Sequence, residues 1–280
     1  MKCNLIVPGF GKSGTTSLHE YLALHPDICM SNPKEPNFYI EGNWQRGEDW
    51  YNSLFRDEGR ARRWYGESST AYSVWEPALE RIKKCQCQPR FIVMLRHPVE
   101  RLLSHYKSFW ARNLESRPLL KAVRKEEEKG FHPDSPLPGV IYTPYRRLSH
   151  YSYFCPVMER MFGKENILYL NNDELSRDPQ GALTKCFRFL GLRDYLINRE
   201  IRKNTTEGTF VQRTFGLKTL LKPFPRSLLD RIDPGSRIRS RVRGVLGQKK
   251  RRPPEISTHD KEELARLLKE DISFYESMFR

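Results

Sequence analysis

The segment from Pro8 to Ser17 has the residue types and the spacing of an anion-binding loop. It reads PGFGKSGTTS and follows the short apolar run Asn4–Val7, which indicates a buried strand that ends in a turn. Glycines let the backbone approach a ligand, and the N–H groups at a helix start, a lysine and several hydroxyls attract an anion. We therefore expect a phosphate to bind at Gly11, Lys12, Ser13, Gly14, Thr15, Thr16 and Ser17.

This loop differs from the phosphate loop of the nucleoside triphosphatases. Their loop has a glycine six residues before its lysine, and position 6 here is isoleucine. In addition, Gly14 follows Lys12 by two residues. A nucleotide kinase-like phosphotransferase, which would also need an acidic strand end for magnesium, remains the alternative class of enzyme.

A second junction between a strand and a helix carries further residues that suit a phosphate. The apolar residues up to Leu95 predict a buried strand over 90–95, and apolar positions from Leu102 to Trp110 predict a helix. Arg96 stands at the strand end, and Ser104 follows eight residues later on the helix. A guanidinium and a hydroxyl placed in this way could hold one phosphate between them.

The alternation of strands and helices predicts an α/β fold with a central parallel sheet flanked by helices. A third strand is expected at Asn166–Leu170 and a helix at Gly181–Leu190, with Gly191 ending it. The residues after a Ser257–Asp260 capping box are expected to form one C-terminal helix. A chain of 280 residues is long enough for a single domain covering 1–280.

The two junctions together resemble the PAPS-dependent sulfotransferases, where PAPS is 3′-phosphoadenosine 5′-phosphosulfate. Lys12–Leu18 is similar to the family's 5′-phosphosulfate loop, and Arg96–Tyr106 is similar to its 3′-phosphate motif, with Arg96 and Ser104 as matching ligands. The likeness is greatest to the heparan sulfate N- and 3-O-sulfotransferases and their bacterial relatives, and it extends to residues 24–28, 33–39, 66–72, 173–175 and 189–192. It implies a P-loop-kinase-like sulfotransferase fold, PAPS as cosubstrate and no metal.

The resemblance also implies roles for single residues. Lys12 would stabilise negative charge on the departing phosphate. Glu35 would be the general base that takes a proton from the acceptor, with Glu67 as the nearest alternative. The basic residues expected to wrap the nucleotide are Lys249, Lys250 and Arg251.

The residues expected to face the acceptor depart from the family pattern. The family often has a lysine where this chain has Ser68 and a histidine where it has Asn37, so heparan specificity does not carry over. We expect the acceptor to be a hydroxyl or amine of a carbohydrate or glycolipid, with a small-molecule alcohol as the alternative. The histidines expected to be structural rather than catalytic are His19, His97 and His105.

Two segments stand out by composition. Residues 199–252 hold 16 basic and 4 acidic residues, a net charge of +12 out of +15 for the chain. Apolar residues interleave with these charges, which favours an acidic membrane surface or a polyanion as partner; the segment has no motif typical of nucleic-acid binding. Residues 113–144 lack periodicity and contain a charge run and several prolines, so we expect either a lid or an inert surface excursion.

The composition excludes an integral membrane protein, because 30% of the residues are charged and the mean hydropathy is −0.70. The apolar run in the first ten residues stops at Pro8-Gly9 and is too short for a signal peptide, so we expect a cytoplasmic protein that binds membranes peripherally. The Golgi lumen would be expected instead if a membrane anchor had been removed. The six cysteines, with Cys85 and Cys87 as the only close pair, fit neither a zinc site nor a disulfide framework.

Overall fold

The sheet has a parallel order that places the glycine-rich loop at its centre. The computed structural model describes residues 2–40, 42–85, 88–127, 145–197 and 253–280. Within them a five-stranded sheet has the order β2-β3-β1-β4-β5, with all pairs parallel. The strands are β1 (Leu5–Ile6), β2 (Ile28–Met30), β3 (Trp64–Glu67), β4 (Arg90–Leu95) and β5 (Ile167–Asn171). The predicted α/β fold is confirmed.

Ten α-helices lie within the described ranges. They are α1 (Thr15–Leu22), α2 (Gly47–Asn52), α3 (Glu76–Lys84), α4 (Pro98–Ala111), α5 (Leu119–Glu127), α6 (Tyr151–Phe162), α7 (Asn172–Arg177), α8 (Pro179–Phe189), α9 (Thr258–Leu267) and α10 (Lys269–Met278). The capping box of Ser257 and Asp260 is present at the start of α9. The single C-terminal helix predicted from the sequence is wrong, because the chain leaves the helical conformation at Leu268 and continues as α10.

The alternation of side chains along β4 divides the interior into two layers. Phe91, Val93 and Leu95 pack on one face of the sheet, together with residues of α3 and α6. Ile92 and Met94 pack on the other face, together with residues of α1 and α8. A parallel sheet buried on both faces in this way leaves only the ends of its strands free for a ligand.

The first part of the segment 113–144 is more regular than the sequence indicated. Residues 119–127 form α5, whose Leu119, Ala122 and Val123 are buried against α4 and α9. The charge run supplies the exposed side of this amphipathic helix. Its buried apolar stripe has only three residues, which is too short a pattern to predict a helix. The carboxylate of Glu126 then accepts hydrogen bonds from the backbone N–H groups of Arg146 (2.8 Å) and Arg147 (2.9 Å).

The rest of that segment, 128–144, lies outside the described residues, as do the basic segment 199–252 and its Lys249, Lys250 and Arg251. The roles expected for them stay predictions. Within the described ranges, no helix has both the length and the hydrophobicity that crossing a bilayer would require.

Candidate functional site

The phosphate loop (residues 8–17) is fixed between two neighbouring parts of the sheet. The backbone N–H of Phe10 donates to Met94 O (2.9 Å), and Met94 N–H donates to Gly9 O (3.0 Å), which extends the pairing beyond β1. On the other side, Ser73 N–H donates to Pro8 O (3.1 Å). A Cβ atom at Gly9 would lie 2.3 Å from Ser73 Oγ, so this close approach requires glycine.

The end of the loop prepares the start of α1 for an anion. Gly14 has φ +92°, and a Cβ atom there would lie 2.4 Å from Asn172 Oδ1. The Ser13 hydroxyl is fully buried and lies near the Tyr151 hydroxyl without forming a well-aligned hydrogen bond to a described residue. Because a buried polar group without a partner is costly, this hydroxyl fits a ligand that supplies an acceptor. The loop, its free N–H groups and its hydroxyls therefore suit a phosphate.

Lys12 is surrounded by positive charge. Burial lowers the pKa of its ammonium, and the neighbouring charges that lower it further are, in decreasing order, those of Arg112, Arg101 and Arg96. The carboxylate of Glu35 acts in the opposite direction. No described residue forms an ion pair with Lys12. These side chains, which the sequence places up to 100 residues apart, thus share one electrostatic site in which positive charge exceeds negative charge.

Arg101 is a site residue that the sequence reasoning missed. Its guanidinium is fully buried and donates to Ser149 Oγ (2.6 Å), to the carbonyl of Gly11 (3.3 Å) and to the carbonyl of Tyr145. It thereby joins α4 to the phosphate loop through uncharged partners. Burial lowers the pKa of Arg101 to about 10. Helical periodicity places Arg101 away from the apolar stripe of α4 that contains Leu102 and Tyr106, so the sequence pattern gave no signal for its burial.

Arg96 lies where the strand end was expected to place it. Its side chain is half-buried and lies 3.6 Å from Glu100, one helical turn further on. The Tyr151 hydroxyl donates to Arg96 O (3.0 Å), which fixes the backbone at this point. Ser104, half-buried, follows Glu100 by another turn and so shares its face of α4. An anion held between Arg96 and Ser104 would compete with Glu100 for the guanidinium.

Glu35 lies in the turn of residues 31–37, which follows β2. Its side chain is 43% exposed, which leaves the carboxylate open to a ligand. The turn is held to the end of β3, where Ser68 N–H donates to Lys34 O (3.2 Å) and Asn37 N–H donates to Ser69 Oγ (2.9 Å). The ammonium of Lys34 lies 2.7 Å from Glu35 Oε1 and 3.4 Å from Thr15 Oγ1, so the turn places Glu35 next to the phosphate loop that contains Lys12.

Glu67 occupies a different environment from Glu35. It is fully buried, and its carboxylate accepts hydrogen bonds from Tyr51 (2.8 Å), Tyr72 (2.8 Å) and Ser69 (2.5 Å). Burial raises its pKa to about 7, against the effect of these three donors. Since all three donors come from the interior, the geometry indicates a carboxylate that holds Ser69, and through it the turn 31–37.

The three histidines that were expected to be structural, His19, His97 and His105, each contact other side chains of the protein. His19 Nδ1 lies 2.9 Å from Ser68 Oγ, and burial lowers its pKa to about 4. The ring of His97 packs against Tyr275, and the buried ring of His105 packs against Phe109 and Tyr145. In the described ranges no three His, Cys, Asp or Glu side chains are grouped so as to hold a metal ion.

Comparison with known proteins points to one family. Residues 3–213 match the family described as the sulfotransferase domain. Human heparan sulfate glucosamine 3-O-sulfotransferase 6 is 28% identical over 206 residues, which are 72% of this chain and 56% of that protein. The mouse heparan sulfate glucosamine 3-O-sulfotransferase 3A1 is 28% identical over 207 residues, 72% of this chain and 49% of that protein. The chain therefore spans about half the length of the curated relatives it matches.

A solved structure gives the same result for the fold. A sulfotransferase from Alicyclobacillus acidocaldarius superposes with a TM-score of 0.60 and 27% sequence identity, over 72% of this chain and 87% of that one. The expected fold and the expected family are both confirmed by these comparisons.

Proposed function

Because the chain belongs to the sulfotransferase domain family, we propose that it transfers a sulfuryl group from PAPS to a hydroxyl or amine of a carbohydrate or glycolipid. The observation that carries this proposal is the Lys12 ammonium in the glycine loop, which forms no ion pair with a described residue and feels the charges of Arg96 and Glu35. A doubly phosphorylated nucleotide needs two anion sites at neighbouring strand ends, and β1 and β4 are neighbours in the sheet.

In this proposal the phosphate loop binds the 5′-phosphosulfate and the strand end of β4 binds the 3′-phosphate. The buried Ser13 hydroxyl and the N–H groups at the start of α1 donate to the first group. Arg96 and Ser104 hold the second, with Arg96 leaving Glu100 to do so. Lys249, Lys250 and Arg251 stay predicted contacts to the nucleotide.

The chemistry assigned to the protein is charge neutralisation and proton transfer. As the bond between sulfur and the phosphate oxygen breaks and the bond to the acceptor oxygen forms, Lys12 stabilises the charge that remains on the phosphate. Its lowered pKa makes it a better proton donor to that oxygen. Glu35 takes the proton of the acceptor, because its carboxylate is the exposed one of the two candidates.

The proposed acceptor class has two supports. The relatives described above are named for heparan sulfate glucosamine, a carbohydrate. The net charge of +12 in residues 199–252 suits an anionic acceptor or an acidic membrane surface. We propose a cytoplasmic protein that binds such a surface peripherally, and sedimentation with acidic liposomes tests it: binding that disappears at high salt is expected, and no binding at low salt contradicts it.

Incubation with radiolabelled PAPS tests the proposed reaction directly. The acceptors would be heparan sulfate, a glycolipid and a small alcohol, and label is expected in one of the first two. Thermal shift with 3′-phosphoadenosine 5′-phosphate, ATP and single-stranded DNA is the companion measurement. Stabilisation by the first ligand alone supports the proposal, whereas stabilisation by ATP with magnesium and no transfer of label favours the phosphotransferase.

A further inference from the structure

Lys34 connects the two halves of the proposed site. Its ammonium donates to Glu35 Oε1 (2.7 Å) and to Thr15 Oγ1 (3.4 Å). The Lys34 side chain is 20% exposed, about half the exposed fraction of the Glu35 side chain. Thr15 is the first residue of α1 and belongs to the phosphate loop. One half-buried cation therefore contacts both the loop and the proposed base.

The backbone of Lys34 is fixed from the sheet. Its carbonyl accepts a hydrogen bond from the N–H of Ser68, directly after β3 (3.2 Å), and the carbonyl of the preceding residue, Pro33, accepts one from the hydroxyl of Ser31, directly after β2 (3.0 Å). A lysine side chain normally loses considerable rotamer entropy when its ammonium is held in place. Here both ends of the side chain are held, so the ammonium is a fixed point from which a neighbouring carboxylate can be oriented.

The charges around Lys34 favour its pairing with Glu35. His19 lies nearby and is neutral at pH 7, because burial and, to a smaller extent, the charge of Lys34 lower its pKa to about 4. Glu67 is buried behind Ser69 and accepts its hydrogen bonds from other donors. Glu35 is therefore the one carboxylate within reach of the Lys34 ammonium among the described residues.

We infer that Lys34 is a positioning residue for the proposed general base. It holds Glu35 Oε1, while Oε2, which accepts no hydrogen bond from a described residue, stays open to the acceptor hydroxyl. Its contact with Thr15 keeps that carboxylate in register with the loop that would bind the donor. Misplacing a catalytic group by about 1 Å can cost about 100-fold in rate, so a half-exposed carboxylate benefits from such a tether. This inference depends on the proposed function.

A double-mutant cycle tests whether Lys34 acts through Glu35. The variants are Lys34→Met, Glu35→Gln and the double variant, assayed with PAPS and heparan sulfate. We expect Lys34→Met to lower kcat about 10- to 100-fold with less than about a threefold change in the KM for PAPS. In the Glu35→Gln background the same substitution should change kcat less than about threefold. Lys34→Arg, which retains the charge and a donor, should recover most of the rate.

Other results of this experiment would contradict either the role of Lys34 or the proposed function. Independent, multiplicative effects in the cycle overturn the inference, and so does a rise in the KM for PAPS that matches the loss of rate, since Lys34 would then bind the donor itself. No transfer by the unmodified protein overturns the proposed function, and the inference with it. Lys2→Met is the matched control: Lys2 pairs with Asp57 (3.1 Å) just before β1, and its loss should leave kcat unchanged.

Discussion

The two sides of the proposed site are held in place by different kinds of contact. The donor side, which consists of the phosphate loop with Arg96 and Arg101, is held by backbone hydrogen bonds and by glycines that allow close approach. The acceptor side, which consists of the turn 31–37 and residues 67–69, is held by a backbone hydrogen bond from Ser68 to Lys34 and by side-chain hydrogen bonds that lead to one buried carboxylate. A site held by backbone hydrogen bonds tolerates substitution only at positions that do not require glycine. A site held by side-chain hydrogen bonds can be altered one contact at a time.

Removing the cation of the donor side should have the largest effect. We expect Lys12→Met to lower kcat by about 1,000-fold or more, because charge on the departing phosphate would lose its preorganised partner. Sulfuryl transfer from labelled PAPS measures this. Lys83→Met, an exposed lysine on α3, should change the rate less than about twofold. A Lys12→Met protein with an unchanged rate would remove the lysine from the mechanism.

Neutralising the exposed carboxylate of the acceptor side should have the next largest effect. Glu35→Gln is expected to lower kcat by about 100-fold, because it removes the proton acceptor and retains the shape. Binding of 3′-phosphoadenosine 5′-phosphate, followed by thermal shift, should not change. If Glu35→Gln were fully active while Glu67→Gln lost activity at unchanged stability, the two carboxylates would exchange roles.

The donor side was predictable because its signals are local. Gly11, Lys12 and Gly14 stand within four residues, and β4 was predicted with the bounds that the structure gives it. The acceptor side depends on β2 and β3, which have three and four residues and carry no distinctive apolar run. The contact of Glu67 with Tyr51 joins residues 16 apart, and no periodicity indicates such a pair. Glu35 was predicted from resemblance to the sulfotransferase family and not from a pattern of residue types in the sequence.

Weakening the link between α4 and the phosphate loop should have a smaller effect on both stability and binding. Lysine at position 101 would retain the charge but could not reach Gly11, Tyr145 and Ser149 together, because an ammonium lacks the fork of the guanidinium. We expect Arg101→Lys to lower the free energy of unfolding by about 2 kcal/mol. Urea denaturation measures it, with Arg124→Lys on the exposed side of α5 as the control.

The Arg101→Lys variant also shows whether Arg101 only stabilises the fold or also supports nucleotide binding. Affinity for 3′-phosphoadenosine 5′-phosphate should fall about tenfold at a temperature where the variant is folded, because Gly11 loses its donor. An unchanged affinity with reduced stability would confine Arg101 to a structural role and would leave the donor side dependent on its backbone alone.

The acceptor side should also have two opposing pH dependences of stability. The pKa of Glu67 is raised by burial to about 7, so the folded state binds more protons than the unfolded state between about pH 4.5 and 7, and stability falls as pH rises. The pKa of His19 is lowered by burial to about 4, so the unfolded state binds more protons between about pH 4 and 6.5, and stability rises with pH. From pH 5 to 7 each contribution is about 2 kcal/mol, and the two nearly cancel.

Single substitutions should expose each contribution by removing the other. Relative to the unmodified protein, Glu67→Gln should gain about 2 kcal/mol in the free energy of unfolding as pH rises from 5 to 7. His19→Asn, which retains a polar partner for Ser68, should lose a similar amount over the same range. Urea denaturation at several pH values measures both differences. If the free energy of unfolding had the same pH dependence in the unmodified protein and in both variants, burial would not shift the pKa of either Glu67 or His19. The side-chain hydrogen bonds of the acceptor side would then be accessible to water.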